Sequence, residues 1–192
     1  MRGLSRAAVV AALALAGCAG DSPRLAESDL SKAVLQPADL PAPFVQFDEG
    51  PLGVTETTGA LRSDPVRFGR VGGWKARYRR PGSPATAGPL VVESRADLFE
   101  DAEGATKDLV AHRGELTRLR QATGGRSVGV ELGEEAAGVT FREGRVRFFR
   151  VAWRHENATA LVFVNGFDGK LELGEVLALA RKQQRRLESQ AG

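Results

Sequence analysis

The stretch VTFREGRVRFFRVAWRHENATALVFVN, residues 139–165, decides the fold. Its side chains alternate: Phe149, Val151 and Trp153 share one face, and Phe148, Arg150, Ala152 and Arg154 share the other. A period of two belongs to extended backbone, whose successive side chains leave opposite sides. Glu143-Gly144 interrupts the pattern between strands predicted over Val139–Arg142 and Arg145–Arg154. A two-residue break carrying glycine is a hairpin signal. His155-Glu156-Asn157 turns the chain again, into a third strand over Thr159–Asn165. Strands joined by turns this short pair antiparallel, because a parallel pair needs a long crossover.

The same logic extends upstream. In GWKARYRR, residues 73–80, Trp74, Ala76 and Tyr78 alternate with Lys75, Arg77 and Arg79, which predicts a half-buried strand. PGSPATAG forms a loop to a second strand, PLVVES, residues 89–94. Leu98, Ala102, Ala105, Leu109, Leu116 and Leu119 then recur at helical spacing and predict a helix over about 97–121. Ser94 with Asp97, or Asp97 with Glu100, supplies a capping box, and Thr123-Gly124-Gly125 ends the helix. Downstream, Leu173, Val176, Leu177, Ala180 and Leu187 mark a closing helix, with Arg181, Lys182, Arg185 and Arg186 on its outer side. Before the first strand, SDLSKAVLQ (28–36) reads as two helical turns and the proline-rich PADLPAPF (37–44) as a rigid extended segment. Residues 45–65 read as loop with a weak strand over 54–61. The expected fold is α+β: an antiparallel sheet of about five strands with two helices packed on one face, in the order ββαβββα.

The N-terminus fixes the cellular address. Arg2 and Arg6 precede the ten apolar residues Ala7 to Ala16, a charged start and a short apolar core that read as a secretory signal peptide. That core is half the length a spanning helix needs. It ends in Leu15-Ala16-Gly17-Cys18, which holds the chain's single cysteine. The run resembles the bacterial lipobox. That resemblance implies a diacylglycerol on the Cys18 sulfur, cleavage before Cys18 and a membrane anchor for the mature chain. One acyl chain binds a bilayer marginally and two bind firmly. The predicted layout is a signal peptide over 1–17, a lipidated cysteine and tether over 18–28, and one extracytoplasmic domain over 29–192. The anchor faces the outside of the cell membrane, or the outer membrane where the cell has one.

"LSKAVLQPADLPAPF" and the later "VESRADLFEDAEGATKDL", "LGEEAAGV" and "LGEVLALARKQQRRL" resemble exported lipoproteins and receptor-kinase sensor modules of high-GC, actinobacterial-type bacteria. The likeness covers most of the chain after residue 28. It implies an envelope-localised, non-enzymatic binding domain, with a fold similar in some members to the PsbP-like α+β sandwich. It carries over no site residues.

Composition narrows the function further. The formal net charge of +3 includes Arg2 and Arg6, so residues 18–192 carry +1. Near-neutrality and export argue against nucleic acid. With Cys18 committed to lipid, no cysteine nucleophile remains, and no G-x-S-x-G, P-loop or H-E-x-x-H motif occurs. His112 falls on the apolar stripe of the long helix, where a hydrogen-bonded boundary position is expected, and His155 sits beside a turn at the surface. Asp97, Glu100, Asp101 and Glu103 crowd a helix start, and Glu131, Glu134 and Glu135 a loop; neither group has the spacing of a metal site. The reading therefore has no catalytic residue, no metal and no cofactor.

One cluster stands out. No acid occurs between Asp64 and Glu93, and Lys75, Arg77 and Arg79 alternate there on one strand face; Arg150 and Arg154 alternate on another. If these faces coincide, they form a patch for an anionic envelope component or an acidic partner. If not, they are solvated side chains whose stems cover apolar surface. The sequence thus describes a lipid-anchored binding module. The alternative is a structural or assembly lipoprotein that tethers a protein partner at the membrane. A cavity lined by Trp74, Tyr78 or Trp153 would favour an enclosed ligand, a filled core with an exposed patch a surface partner, and a polar cleft at His112 an enzyme.

Overall fold

The computed structural model describes residues 24–41, 43–53 and 65–191. The lipobox residues Leu15, Ala16, Gly17 and Cys18, and the strand expected over 54–61, lie outside these residues.

Among the described residues, seven strands form one antiparallel sheet: β1 (Val45–Leu52), β2 (Arg70–Arg79), β3 (Val91–Phe99), β4 (Arg126–Val128), β5 (Glu135–Glu143), β6 (Val146–His155) and β7 (Ala158–Phe167). Their order across the sheet is β1-β2-β3-β7-β6-β5-β4. Three helices accompany them: α1 (Leu30–Ala33), α2 (Ala102–Thr123) and α3 (Leu173–Gln190). Among the described residues, no helix is long and apolar enough to cross a membrane.

The expected five strands and two helices are therefore corrected to seven and three. The two missed strands lie at the sheet edges. β1 has alternating but mostly exposed side chains, and β4 is three residues long. An edge strand buries too little to leave a strong apolar pattern. The extended PADLPAPF segment is also corrected, since Pro37–Asp39 closes a 3-10 turn. The β5–β6 turn residues are Gly144-Arg145 rather than Glu143-Gly144, because Glu143 still pairs with Val146. Gly144 takes a φ of 57°, which glycine adopts without cost.

A larger correction concerns the layers, because the long helices do not share a face. On β3 and β7, Val92, Ala96, Ala160 and Val162 join the core beside α3, and Ser94 is buried among them. The Ser94 hydroxyl donates to Gln183 Oε1 of α3 at 2.8 Å, and Trp153 Nε1 donates to Gln184 Oε1 at 2.6 Å. Thr159, of opposite parity on β7, donates instead to Asp108 Oδ2 of α2 at 2.7 Å. The fold is a three-layer sandwich, with α1 and α3 on one face and α2 on the other. Hairpin order alone cannot assign a crossover helix to a face, so this was hidden in the sequence.

The start of α2 moves for a related reason. Asp97 and Phe99 belong to β3, and Asp101 is the helix cap, accepting from the Gly104 amide at 2.7 Å. Gly104 is fixed by packing: a Cβ there would lie 2.2 Å from the Phe68 carbonyl oxygen. The helix ends as expected at Gly124, with a φ of 64°.

Candidate functional site

The five predicted cations do share a sheet face, the one that carries α2. Register shows how. Glu135, Arg154, Thr159, Asp97 and Gly73 lie opposite one another across five strands. The next row on the same face holds Ala152, Leu161, Arg95 and Lys75. The third holds Val139, Arg150, Phe163, Glu93, Arg77 and Asp48. The fourth holds Phe141, Phe148, Asn165, Val91, Arg79 and Val45.

The middle of the first two rows is covered, since Thr159, Asp97, Arg95, Leu161 and Ala152 are all buried under α2. The third and fourth rows are buried at Val139 and Phe141 on β5 and more open from β6 to β1. Arg150, Phe163, Glu93, Arg77, Phe148, Asn165 and Val91 are half-buried, and Arg79 is exposed. Phe47 extends this surface. It is the extra residue of a bulge in β1, where the register shifts between Gln46 and Asp48. The bulge leaves the ring 41% exposed beside β2.

Charge pairing divides the five cations into two kinds. Lys75 and Arg77 reach Asp48 Oδ2 at 3.2 and 3.4 Å, and Arg77 also meets Glu93 at 3.1 Å. Burial alone would raise the Asp48 pKa, but hydrogen bonds from Lys75 and Arg77 outweigh it and hold it below 3.8. Arg154 pairs with Glu134 and donates to the Glu156 carbonyl. Arg79 and Arg150 meet no acid among the described residues, and each guanidinium lies over a phenyl ring: Arg79 over Phe47 at 5.3 Å and Arg150 over Phe163 at 5.7 Å. Phe163 stacks on Phe148 at 5.8 Å, and Phe148 on Phe141 at 4.9 Å. The net positive charge of the open face sits at two arginines braced on aromatic rings.

Under α2 lies a second polar group that the sequence reading misjudged. Asp97 was expected in a helical turn, yet its carboxylate is clamped between two buried guanidinium groups. Arg70 Nε and Arg95 Nε approach it at 2.8 and 2.7 Å. His112 is buried rather than at a boundary, 3.5 Å from Asp108 and 3.6 Å from Glu115. Polar groups do converge on this histidine, but all three side chains are at most 4% exposed, so a substrate has no access to them. His155 is half-buried, with Nδ1 3.4 Å from Gln184 Nε2. Among the described residues, no three histidine, cysteine or carboxylate side chains are arranged to hold a metal ion.

The core between sheet and α3 is filled. Trp153 and Tyr78 are buried within it, and the Tyr78 hydroxyl donates to the Leu35 carbonyl at 2.7 Å. Burial, followed by the nearby Glu49 and Asp39 charges, pushes the Tyr78 pKa up to about 12. Trp74 lies at the rim, its indole donating to Glu49 at 3.2 Å. Of the two arrangements weighed for Trp74, Tyr78 and Trp153, the side chains of Tyr78 and Trp153 belong to the core.

The elements define a class of α+β sandwich in which one antiparallel sheet is filled on one side and half-covered on the other. A solved structure of similar fold is the extracellular domain of PknH from Mycobacterium tuberculosis. The match has a TM-score of 0.62 at 14% identity and covers 88% of this chain and 99% of that one. At that identity the likeness is one of fold. No protein-family model matches the sequence. No curated protein matches it either.

Proposed function

We propose that this chain is a lipid-anchored binding module of the cell envelope, working outside the cytoplasm without chemistry of its own. The open half of the sheet face would take an anionic envelope component. One observation carries this reading: Arg79 and Arg150 share that face with no acid partner among the described residues, each already ordered on a ring. A cation held in place loses less entropy on binding than a free one. Fold likeness to an extracellular domain supports the location, and the signal-peptide pattern with Cys18 supports the anchor. The closed surroundings of His112 support a role without catalysis.

Two experiments test it. The full-length chain, expressed in a bacterial host fed a palmitate analogue, should label and fractionate with membranes. The Cys18→Ala chain should do neither, and equal labelling of both would refute the anchor. For the surface, detergent-purified protein should be retained on immobilised polygalacturonate at low salt and released as salt rises. Arg79→Glu/Arg150→Glu should pass through, and undiminished retention of that variant would refute the open face as the site.

A further inference from the structure

We infer that the open face is a bipartite site for an extended anionic polysaccharide, rather than a seat for one compact anion. This rests on the reading of that face as the binding surface and goes on to name what it binds.

The argument begins with register. Arg79 and Arg150 lie on β2 and β6, separated by β3 and β7. Arg150 belongs to the Arg77 row and Arg79 to the next, two residues along the strands. Three strand spacings and two residues place their backbones about 16 Å apart. A single carboxylate or phosphate cannot meet both. An extended chain lying across the strands can.

The ground between the two arginines selects the kind of chain. Val91, Asn165, Phe163 and Glu93 occupy it. Lys75 and Arg77, which would otherwise fill the gap with positive charge, are taken up by Asp48 and Glu93. Positive charge therefore comes at two separated points, each beside a phenyl ring, with an amide, apolar surface and the Arg77–Glu93 ion pair between. The backbone of a central sheet is fully engaged with its neighbours, so it offers an incoming peptide no ladder to join. The apolar ground of Val91 and the phenyl groups suits the apolar sides of sugars, Asn165 suits a hydroxyl, and the arginine forks suit spaced acidic groups.

Two linked contacts make the second one intramolecular, so chain length should matter more than charge per sugar. The test is calorimetric titration of the full-length protein in detergent with digalacturonate and with a decamer of the same sugar. The expected result is at least a tenfold tighter Kd for the decamer, on a per-sugar basis. Arg79→Glu or Arg150→Glu alone should bring the decamer down to the dimer's affinity. Arg79→Gln and Arg150→Gln, which remove charge without reversing it, should do the same; circular dichroism confirms that each variant is folded. Equal affinity for both lengths, lost in the double variant, would overturn the bipartite site while leaving the open face as the binding surface. Decamer binding undiminished in the double variant would overturn both. Equal binding of a polyglutamate peptide of matched charge would overturn the choice of polysaccharide.

Discussion

The two faces of the sheet bury the same strands by opposite means. Toward α3 the strands present Val92, Ala96, Val151, Trp153, Ala160 and Val162, and the contacts are mainly apolar, with neutral hydrogen bonds from Ser94 and Trp153 to Gln183 and Gln184 and no buried ion pair among the described residues. Toward α2 the same strands present Arg95, Asp97 and Thr159 under Asp108, His112 and Glu115. The apolar face gains stability from removal of surface from water, at roughly 25 cal/mol per Å2. The ions of the other face add little net energy, because desolvation offsets most of the attraction between them, and its apolar share comes from neighbours such as Leu161 and Leu109. What it does impose is geometry: one carboxylate held by two guanidinium groups accepts few alternative packings. A face whose rows must stay in register to present Arg79 and Arg150 benefits from that constraint.

The sharpest way to break this comparison is Asp97→Ala. It removes the carboxylate that Arg70 and Arg95 share in a buried site, and the expected loss is about 4 kcal/mol in urea unfolding. Replacing Arg70, Arg95 and Asp97 together by apolar residues of similar size should recover most of that loss. If the single variant costs less than about 1 kcal/mol, the clamp does not fix the layer in the way argued. The matching change on the apolar face is Leu187→Ala, at a fully buried position of α3. It removes packing without stranding a charge, and about 3 kcal/mol is expected. No apolar partner substitution should rescue it beyond refilling the cavity.

Tyr78 joins the two kinds of burial and gives a smaller effect with a pH signature. Its hydroxyl is neutral in the fold, with a pKa raised from 10.0 to about 12. A group whose folded pKa is raised contributes stability that is complete below the unfolded value and is lost as pH climbs through the folded one. The Tyr78 contribution should therefore be intact below pH 10 and disappear between pH 10 and about 12. Tyr78→Phe should cost about 1 kcal/mol at neutral pH through the lost bond to Leu35. It should also flatten the alkaline fall in the urea midpoint, and an unchanged alkaline slope would show that the hydroxyl is not held neutral by the fold.

The same contrast explains what was legible in the sequence. β2, β6 and β7 were readable because their apolar faces alternate against a filled core. The closing helix was readable for the same reason, since Val176, Ala180 and Leu187 recur at helical spacing and are buried. Asp97 was not readable. A carboxylate just before an amphipathic run has the look of a helix cap, and only the tertiary partners Arg70 and Arg95 hold it in the strand. His112 deceived in the same way, because its acid partners Asp108 and Glu115 look like solvent-facing residues until α2 is placed on the sheet. The cationic patch was half legible. Alternation put the right residues on one face, but cross-strand pairing decided that Lys75, Arg77 and Arg154 are neutralised while Arg79 and Arg150 are not. Pairing over 29 residues, as between Asp48 and Arg77, leaves no local trace.

The smallest stability effect is expected where the functional effect is largest. Arg79 is exposed, forms no ion pair among the described residues and rests on a ring that is itself 41% exposed. Arg79→Glu should shift unfolding by less than about 0.5 kcal/mol, as for most surface changes. A cation–π contact at an exposed site contributes about 0.5 kcal/mol at the low end of its range. Arg77→Glu, by contrast, opposes Asp48 and Glu93 with a third negative charge, and should cost about 1 kcal/mol through cross-strand repulsion. The two arginines are neighbours on one strand face, so the difference between them isolates the role of pairing. If Arg79→Glu destabilises as much as Arg77→Glu, then Arg79 is part of the sheet's own charge balance and not a residue held ready for a ligand.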